Sequence, residues 1–240
     1  MNDLKIIHEP TGREPFIVVD KPASLPSAPL KIDDDSLLTR ILNIFPEVKN
    51  VRGKKEIEYG LVHRIDNETR GLVLIASSQD FYDFIIESQK NNLFEKTYSA
   101  KIQRDSENPK KLGGFPENQP KINFYGENIV RSRFRPFGTK NSQVRPVTEE
   151  SGRAALKKCG ETVYTTCVKF IGSEEAECRI TNGYRHQVRC HLAWLGCPVF
   201  GDRLYNSNFN EGERLLFVAK KISFPDLFSK KTFSFELNDF

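Results

Sequence analysis

Residues 63–72 place one carboxylate in a setting where it could do chemistry. They read His63-Arg64-Ile65-Asp66-Asn67-Glu68-Thr69-Arg70-Gly71-Leu72, and the apolar run Leu72-Val73-Leu74-Ile75-Ala76 follows without a break. Burial beside such a strand would raise the pKa of Asp66. A neighbouring guanidinium would lower it by about 1–3 units and keep the group ionised. A charged, well-aimed carboxylate can serve as a nucleophile. The plainer reading is an aspartate that caps the turn before a strand.

Three further places carry side chains with chemical reach. Tyr98 lies in the alternating segment Thr97 to Ile102, which puts Tyr98 and Ala100 on one strand face. Its ring could stack on a planar group, and its hydroxyl could move a proton. The segment His186-Gln187-Val188-Arg189 offers a guanidinium able to grip a carboxylate through two hydrogen bonds. His186 and His191 are five residues apart, so they miss the four-residue spacing that puts two metal ligands on one helical face. No metal and no cofactor are therefore expected. Arg131-Ser132-Arg133-Phe134-Arg135-Pro136-Phe137 interleaves cations with rings, as RNA binding requires, although a solvated basic loop has the same composition.

The elements that must position these groups can be read from patterning. Phe16 to Val19 is a short buried strand, closed by Lys21-Pro22. Asp33, Asp34, Asp35 and Ser36 precede a helix whose apolar positions are Leu37, Leu38, Ile41, Leu42 and Phe45, with Pro46 ending it. Lys49 to Glu58 reads as a loop and Leu72 to Ala76 as a buried strand. Phe81, Phe84 and Ile85 fall at helical spacing, up to Asn91-Asn92. Residues 104–128, rich in Pro, Gly, Asn and Lys, read as loop. Val163 to Ile171 and Ala176 to Thr181 form a hairpin about Gly172-Ser173. His186 to Leu195 is a short helix stopped by Gly196, and Leu215 to Phe224 and Thr232 to Leu237 are closing strands. Strands and helices do not alternate regularly, so the class is α+β, in a single domain over residues 1–240.

Bulk composition narrows the field without naming a partner. The 240 residues include 36 basic and 32 acidic side chains, a net charge of +4, which is too mild to imply nucleic acid by itself. The distribution says more: Arg131, Arg133, Arg135, Lys140 and Arg145 lie between Val130 and Thr148 with no acid among them. Five cysteines form no CxxC pair, consistent with free thiols in a reducing compartment. No apolar run is long enough to span a bilayer, and the N-terminus has no signal-peptide core. A cytoplasmic location, no membrane association and a monomer are the default expectations.

The motifs together resemble one family. Residues 63–72 are similar to the HRLDxxTSGL motif of the RluA-type RNA pseudouridine synthases. Val18 to Leu25 resembles that family's VxKPxGL segment, and Lys96-Thr97-Tyr98-Ser99-Ala100 its KxYxA strand. Gly183 to Tyr205 resembles GRxHQIRxHLAxxGxPIxGDxxY. Four motifs in the family's order cover most of the chain. The resemblance implies a mixed, largely antiparallel central sheet flanked by helices and loops. It implies isomerisation of uridine to pseudouridine in structured rRNA or tRNA, with Asp66 as nucleophile and Tyr98 as the active-site tyrosine. It further implies that Arg189 pairs with the aspartate and that Arg64 helps displace the target base. His63, Arg70 and His186, with Arg131, Arg133 and Arg135, are the expected RNA contacts. The carboxylate could attack C6 of the base or C1′ of the sugar.

The chain departs from the pattern at four points. Arg70 replaces a small hydroxyl residue, Ser24 a glycine and Asn182 a threonine, while Tyr184-Arg185 stands where Arg and a small hydroxyl residue are usual. Fewer than twenty residues precede the first motif, so no separate RNA-binding module is expected, and target recognition would fall to the loops at 104–147. A non-enzymatic RNA-binding protein of this family is the rival reading. A glycosidic hydrolase is a second, but it would ordinarily need a facing carboxylate.

Overall fold

The computed structural model describes residues 4–31, 34–104, 112–229 and 231–238. The chain divides into two compact units: residues 1–96 with 218–240, and residues 97–217. Asp33 and residues 105–111 of the expected loop lie outside the described residues.

The first unit holds β1 (Lys5–His8), β2 (Phe16–Lys21), α1 (Leu37–Ile44), β3 (Arg70–Ala76), α2 (Gln79–Lys90), nearly all of β9 (Phe217–Pro225) and β10 (Thr232–Glu236). Its strands run in the order β1-β2-β3-β9, with β10 on β9. All pairings are antiparallel except β3 with β9, which runs parallel through Arg70–Val218 and Gly71–Ala219. Gly71 is required there: its φ is 133°, and a Cβ would come within 2.3 Å of the Ala219 carbonyl oxygen. The strand β2 is buried along its whole length, its apolar run Phe16–Val19 by type and Asp20 and Lys21 with polar partners. Phe16 stacks on Phe81 at 4.9 Å and meets Phe224 edge-on at 5.2 Å, and each such burial contributes roughly 1.5–3 kcal/mol. Ser36 caps α1 in a reciprocal box with Thr39, while Asp35 pairs with Arg40 at 2.7 Å.

The second unit holds most of β4 (Glu95–Lys101), then β5 (Glu127–Phe137), β6 (Gln143–Val147), α3 (Arg153–Leu156), β7 (Tyr164–Ile171), β8 (Glu175–Ile180) and α4 (Gln187–Trp194). Its strand order is β4-β8-β7-β5-β6, and β5 pairs antiparallel with both β6 and β7. The architecture is thus α+β with a mixed, largely antiparallel sheet. Residues 127–147 were expected to be loop, and the structure corrects this to a strand pair. The arginines mask a two-residue alternation in which Asn128, Val130, Ser132 and Phe134 are buried. The helix α4 packs on β6 and β7. Gly196 closes it at φ 71°, and Cys197 N–H returns to the Leu192 carbonyl at 2.9 Å.

Candidate active site

In the first unit Asp66 opens a tight turn into β3, closed by the Thr69 N–H donating to the Asp66 carbonyl at 3.0 Å. That turn is pinned from beneath by Lys21. The Lys21 ammonium is fully buried and donates to the carbonyls of Leu25 at 2.7 Å, Pro22 at 2.9 Å and Asn67 at 3.1 Å. Three donors meet three acceptors, so the charged form is fully satisfied. Burial pulls the Lys21 pKa down to about 8, and the carboxylates of Asp66 and then Asp20 oppose that fall. The lysine therefore supplies a positive charge near Asp66 while spending its hydrogen bonds on backbone.

Two more contacts tie the turn down. Ser24 N–H donates to the Asn67 carbonyl at 2.8 Å, and the Ser27 hydroxyl donates to the Ile65 carbonyl at 2.9 Å. Ser24 has φ 65°, the left-handed conformation, at the very place where the similar motif carries glycine. The departure in residue type has left the loop geometry in place, with strain in the serine.

The other residues singled out in this unit have definite partners. Arg64 is more than half exposed, and Nη1 donates to the buried Glu58 at 3.3 Å. A cation reaching outward from a buried carboxylate is suited to meeting RNA. His63 is turned the other way: its Nε2 accepts the Leu74 N–H at 3.1 Å and its ring meets Phe94 edge-on. Burial, and after it the Lys96 charge, holds the His63 pKa well below its ordinary value, so this ring is a neutral tether of the turn to β3. Arg70 folds back onto Asp20, with Nη2 to the carboxylate at 2.9 Å. Asp20 is itself buried and belongs to the first motif, so the unusual Arg70 is matched by a partner in the same unit.

In the second unit Arg189 is almost completely buried and makes a two-pronged pair with Asp202, Nε and Nη2 each 2.7 Å from a carboxylate oxygen. Asp202 also accepts the N–H groups of Leu204 at 2.9 Å and Tyr205 at 3.1 Å. This pair fixes the Arg189 guanidinium plane. The Tyr205 hydroxyl accepts the Val144 N–H at 2.9 Å and shares a hydrogen bond with His186 Nδ1 at 3.0 Å. Tyr98 is nearly buried and lies flat on Phe217, ring centres 5.0 Å apart and planes within 7°.

Of the remaining residues, His191 takes Ser132 and Thr166 hydroxyls on its two nitrogens at 2.9 and 2.8 Å. Burial drops its pKa to about 3. The basic stretch splits in two. Arg131, Arg133 and Arg135 lie on the outward row of β5, whereas Arg145 is buried, donating to the Gly113 carbonyl at 2.8 Å and lying over Phe137 at 4.2 Å. The roles of Asp202, Lys21 and Glu58 escaped the sequence reading; Lys21 and Asp202 lie inside the VxKPxGL-like and GDxxY-like segments, but neither segment names the group that its charge meets.

The model of the family described as RNA pseudouridylate synthase matches residues 15–194. The ribosomal large subunit pseudouridine synthase D of Blochmanniella floridana is 24% identical over 221 residues, covering 92% of this chain and 58% of that protein. The corresponding synthase C of Rickettsia bellii is 28% identical, covering 93% and 64%. The chain thus spans little more than half the length of the curated relatives it matches. Among solved structures, human RNA pseudouridylate synthase domain containing 1 has a TM-score of 0.66 at 16% identity, covering 99% of this chain and 84% of that one. Human RNA pseudouridylate synthase domain containing 4 has 0.63 at 20%, covering 98% and 88%. At such identity the two structures establish the fold.

Proposed function

The chain belongs to the RNA pseudouridylate synthase family, and on that premise we propose that it isomerises uridine to pseudouridine in RNA with Asp66 as its nucleophile. The observation that carries this reading is the Asp66 turn, anchored by a buried ammonium whose donors all end on backbone oxygens. A carboxylate so held can form a transient bond to C6 of the uracil or to C1′ of the ribose. The N1–C1′ bond breaks, the base turns, and C5 bonds to C1′. C5 then gives up its proton and N1 gains one. Atoms and electrons balance within the nucleoside, so the reaction calls for no oxidant, metal or carrier group.

Arg64, Tyr98 and Arg189 take the roles their motifs imply: a planar cation for the vacated stack or a phosphate, a ring and hydroxyl for the base, and a guanidinium able to grip a carboxylate. The named relatives that act on the ribosomal large subunit make structured rRNA the favoured substrate over tRNA. A cytoplasmic monomer is the working form of the proposal.

The test is pseudouridine mapping across the RNA of cells that lack this gene, complemented with wild type or Asp66→Asn. A site that disappears on deletion and returns only with wild type supports the reading, with the variant slower by at least about a thousandfold in vitro, the scale of losing a covalent nucleophile. Restoration of the site by Asp66→Asn would remove the nucleophile and favour a binding protein. Free uracil released from RNA would favour a hydrolase.

A further inference from the structure

The two rows of β5 meet different surroundings. Its buried row packs into the second unit, and its other row reads Glu127, Ile129, Arg131, Arg133, Arg135 and Phe137. The one acid of this row, Glu127 at its start, is paired with Arg179, and Lys169 on the neighbouring strand stands across from Glu177. The residues across from Arg131, Arg133 and Arg135 are Thr165, Val147 and Arg145, none of them acidic. The row ends at a cleft of about 370 Å³ lined by Arg135, Gly152, Arg153, Ala154, Ala155 and Lys158. Three cations and no carboxylate face that space.

The Arg135 guanidinium is already oriented. Its Nη2 donates to the Gly114 carbonyl at 3.1 Å, and the group lies over the Phe137 ring at 5.0 Å. Among the described residues its Nε meets no acceptor. A donor left without a partner next to two further cations calls for an anionic oxygen. Arg153 and Lys158 are both exposed, so packing does not account for them. We infer that this cleft is a phosphate-binding subsite that holds the RNA backbone, with Arg131 and Arg133 leading the strand into it. The inference rests on the RNA-modifying reading above and adds a place where the substrate is gripped independently of its sequence.

The experiment is filter binding of a short single-stranded oligoribonucleotide over a salt series. It compares wild type, Arg153→Glu/Lys158→Glu, and a control with the same charge change at two exposed lysines of the first unit, Lys49→Glu/Lys90→Glu. Thermal melting confirms that all three are folded. The cleft variant is expected to bind on the order of tenfold more weakly at low salt, its log–log salt slope shallower by roughly 0.7 for each phosphate that is no longer neutralised. The control is expected to change far less. Equal weakening in the control, or an unchanged slope in the cleft variant, overturns the inference. Pseudouridine formation by the same wild-type preparation separates the two claims. Wild type that modifies RNA beside a cleft variant that binds normally sinks the subsite alone. Wild type that modifies no RNA beside a weakened cleft variant sinks the enzymatic reading and leaves the subsite standing.

Discussion

The two units each bury a strong cation, and they stabilise it in opposite ways. Lys21 gives its three N–H groups to three backbone carbonyls and acts on Asp66 through space. Arg189 is locked in contact with the Asp202 carboxylate, which is held in turn by two backbone N–H groups. The first arrangement sets up a field around the carboxylate proposed to react, and it takes up none of that group's oxygens with its own donors. The second fixes the position and plane of a group that must stay put. A charge that tunes chemistry and a charge that supplies geometry need different partners.

Breaking the contact pair should cost the most. Asp202→Asn keeps the shape and takes one charge out of a buried two-pronged ion pair, so urea unfolding should show a loss of about 3–5 kcal/mol. A loss below about 1 kcal/mol would mean that Arg189 is satisfied without Asp202 and that the two cations differ less than their partners suggest. Lys21→Met comes next, leaving three carbonyls short of a donor at about 1 kcal/mol each, roughly 3 kcal/mol in total. Pseudouridine formation should fall further than the loss of folded protein explains, because the Asp66 turn loses its anchor and its field. A variant that is destabilised and yet fully active per folded molecule would reduce Lys21 to a structural part.

Buried neutral histidines set the acid side of the stability profile. His191 titrates near pH 6.5 when unfolded and near 3 when folded. Between those values the unfolded chain holds more protons, so stability falls as pH falls, by up to about 1.4 kcal/mol per pH unit for this group. His191→Gln should flatten the profile between pH 6 and 4 by one proton and leave the share due to His63. An unchanged slope would show that the His191 ring becomes protonated in the native state. The smallest effect has the opposite sign. Ser24→Gly should relieve about 1–2 kcal/mol of left-handed strain and give back about 0.4–1 kcal/mol in unfolded-chain entropy. A net gain of about 0.5 kcal/mol in the urea midpoint is expected, and a loss would show that the serine side chain matters more than its φ.

How much of this was legible in the sequence follows from how local each cause is. The strands β2 and β3, the α1 cap at Ser36, the hairpin about Gly172 and the end of α4 at Gly196 depend on near neighbours, and all were readable. The β5–β6 pair was missed because arginines hid its alternation, and Arg145, counted with an outward basic stretch, is sandwiched by Phe115 and Phe137. At the site, the motifs gave the candidate residues but not their partners. Lys21 meets Asn67 across 46 positions and Asp20 meets Arg70 across 50, and nothing in either segment alone announces such a contact. His63 could be placed in a motif, yet only packing reveals that it faces inward.

The order in which the chain is built has a consequence for its synthesis. The first unit is completed by residues 218–240, after the whole second unit has been made. At a ribosomal pace of about 5–20 residues per second, the roughly 120 intervening residues take some 6–24 s. Throughout that interval β3 waits without β9, so its edge at Arg70 and Gly71, just ahead of the apolar run, stays unpaired. The nascent chain is therefore prone to sticking to its neighbours until residues 218–225 have been made, and a chaperone that shields this strand would have its greatest effect in that interval.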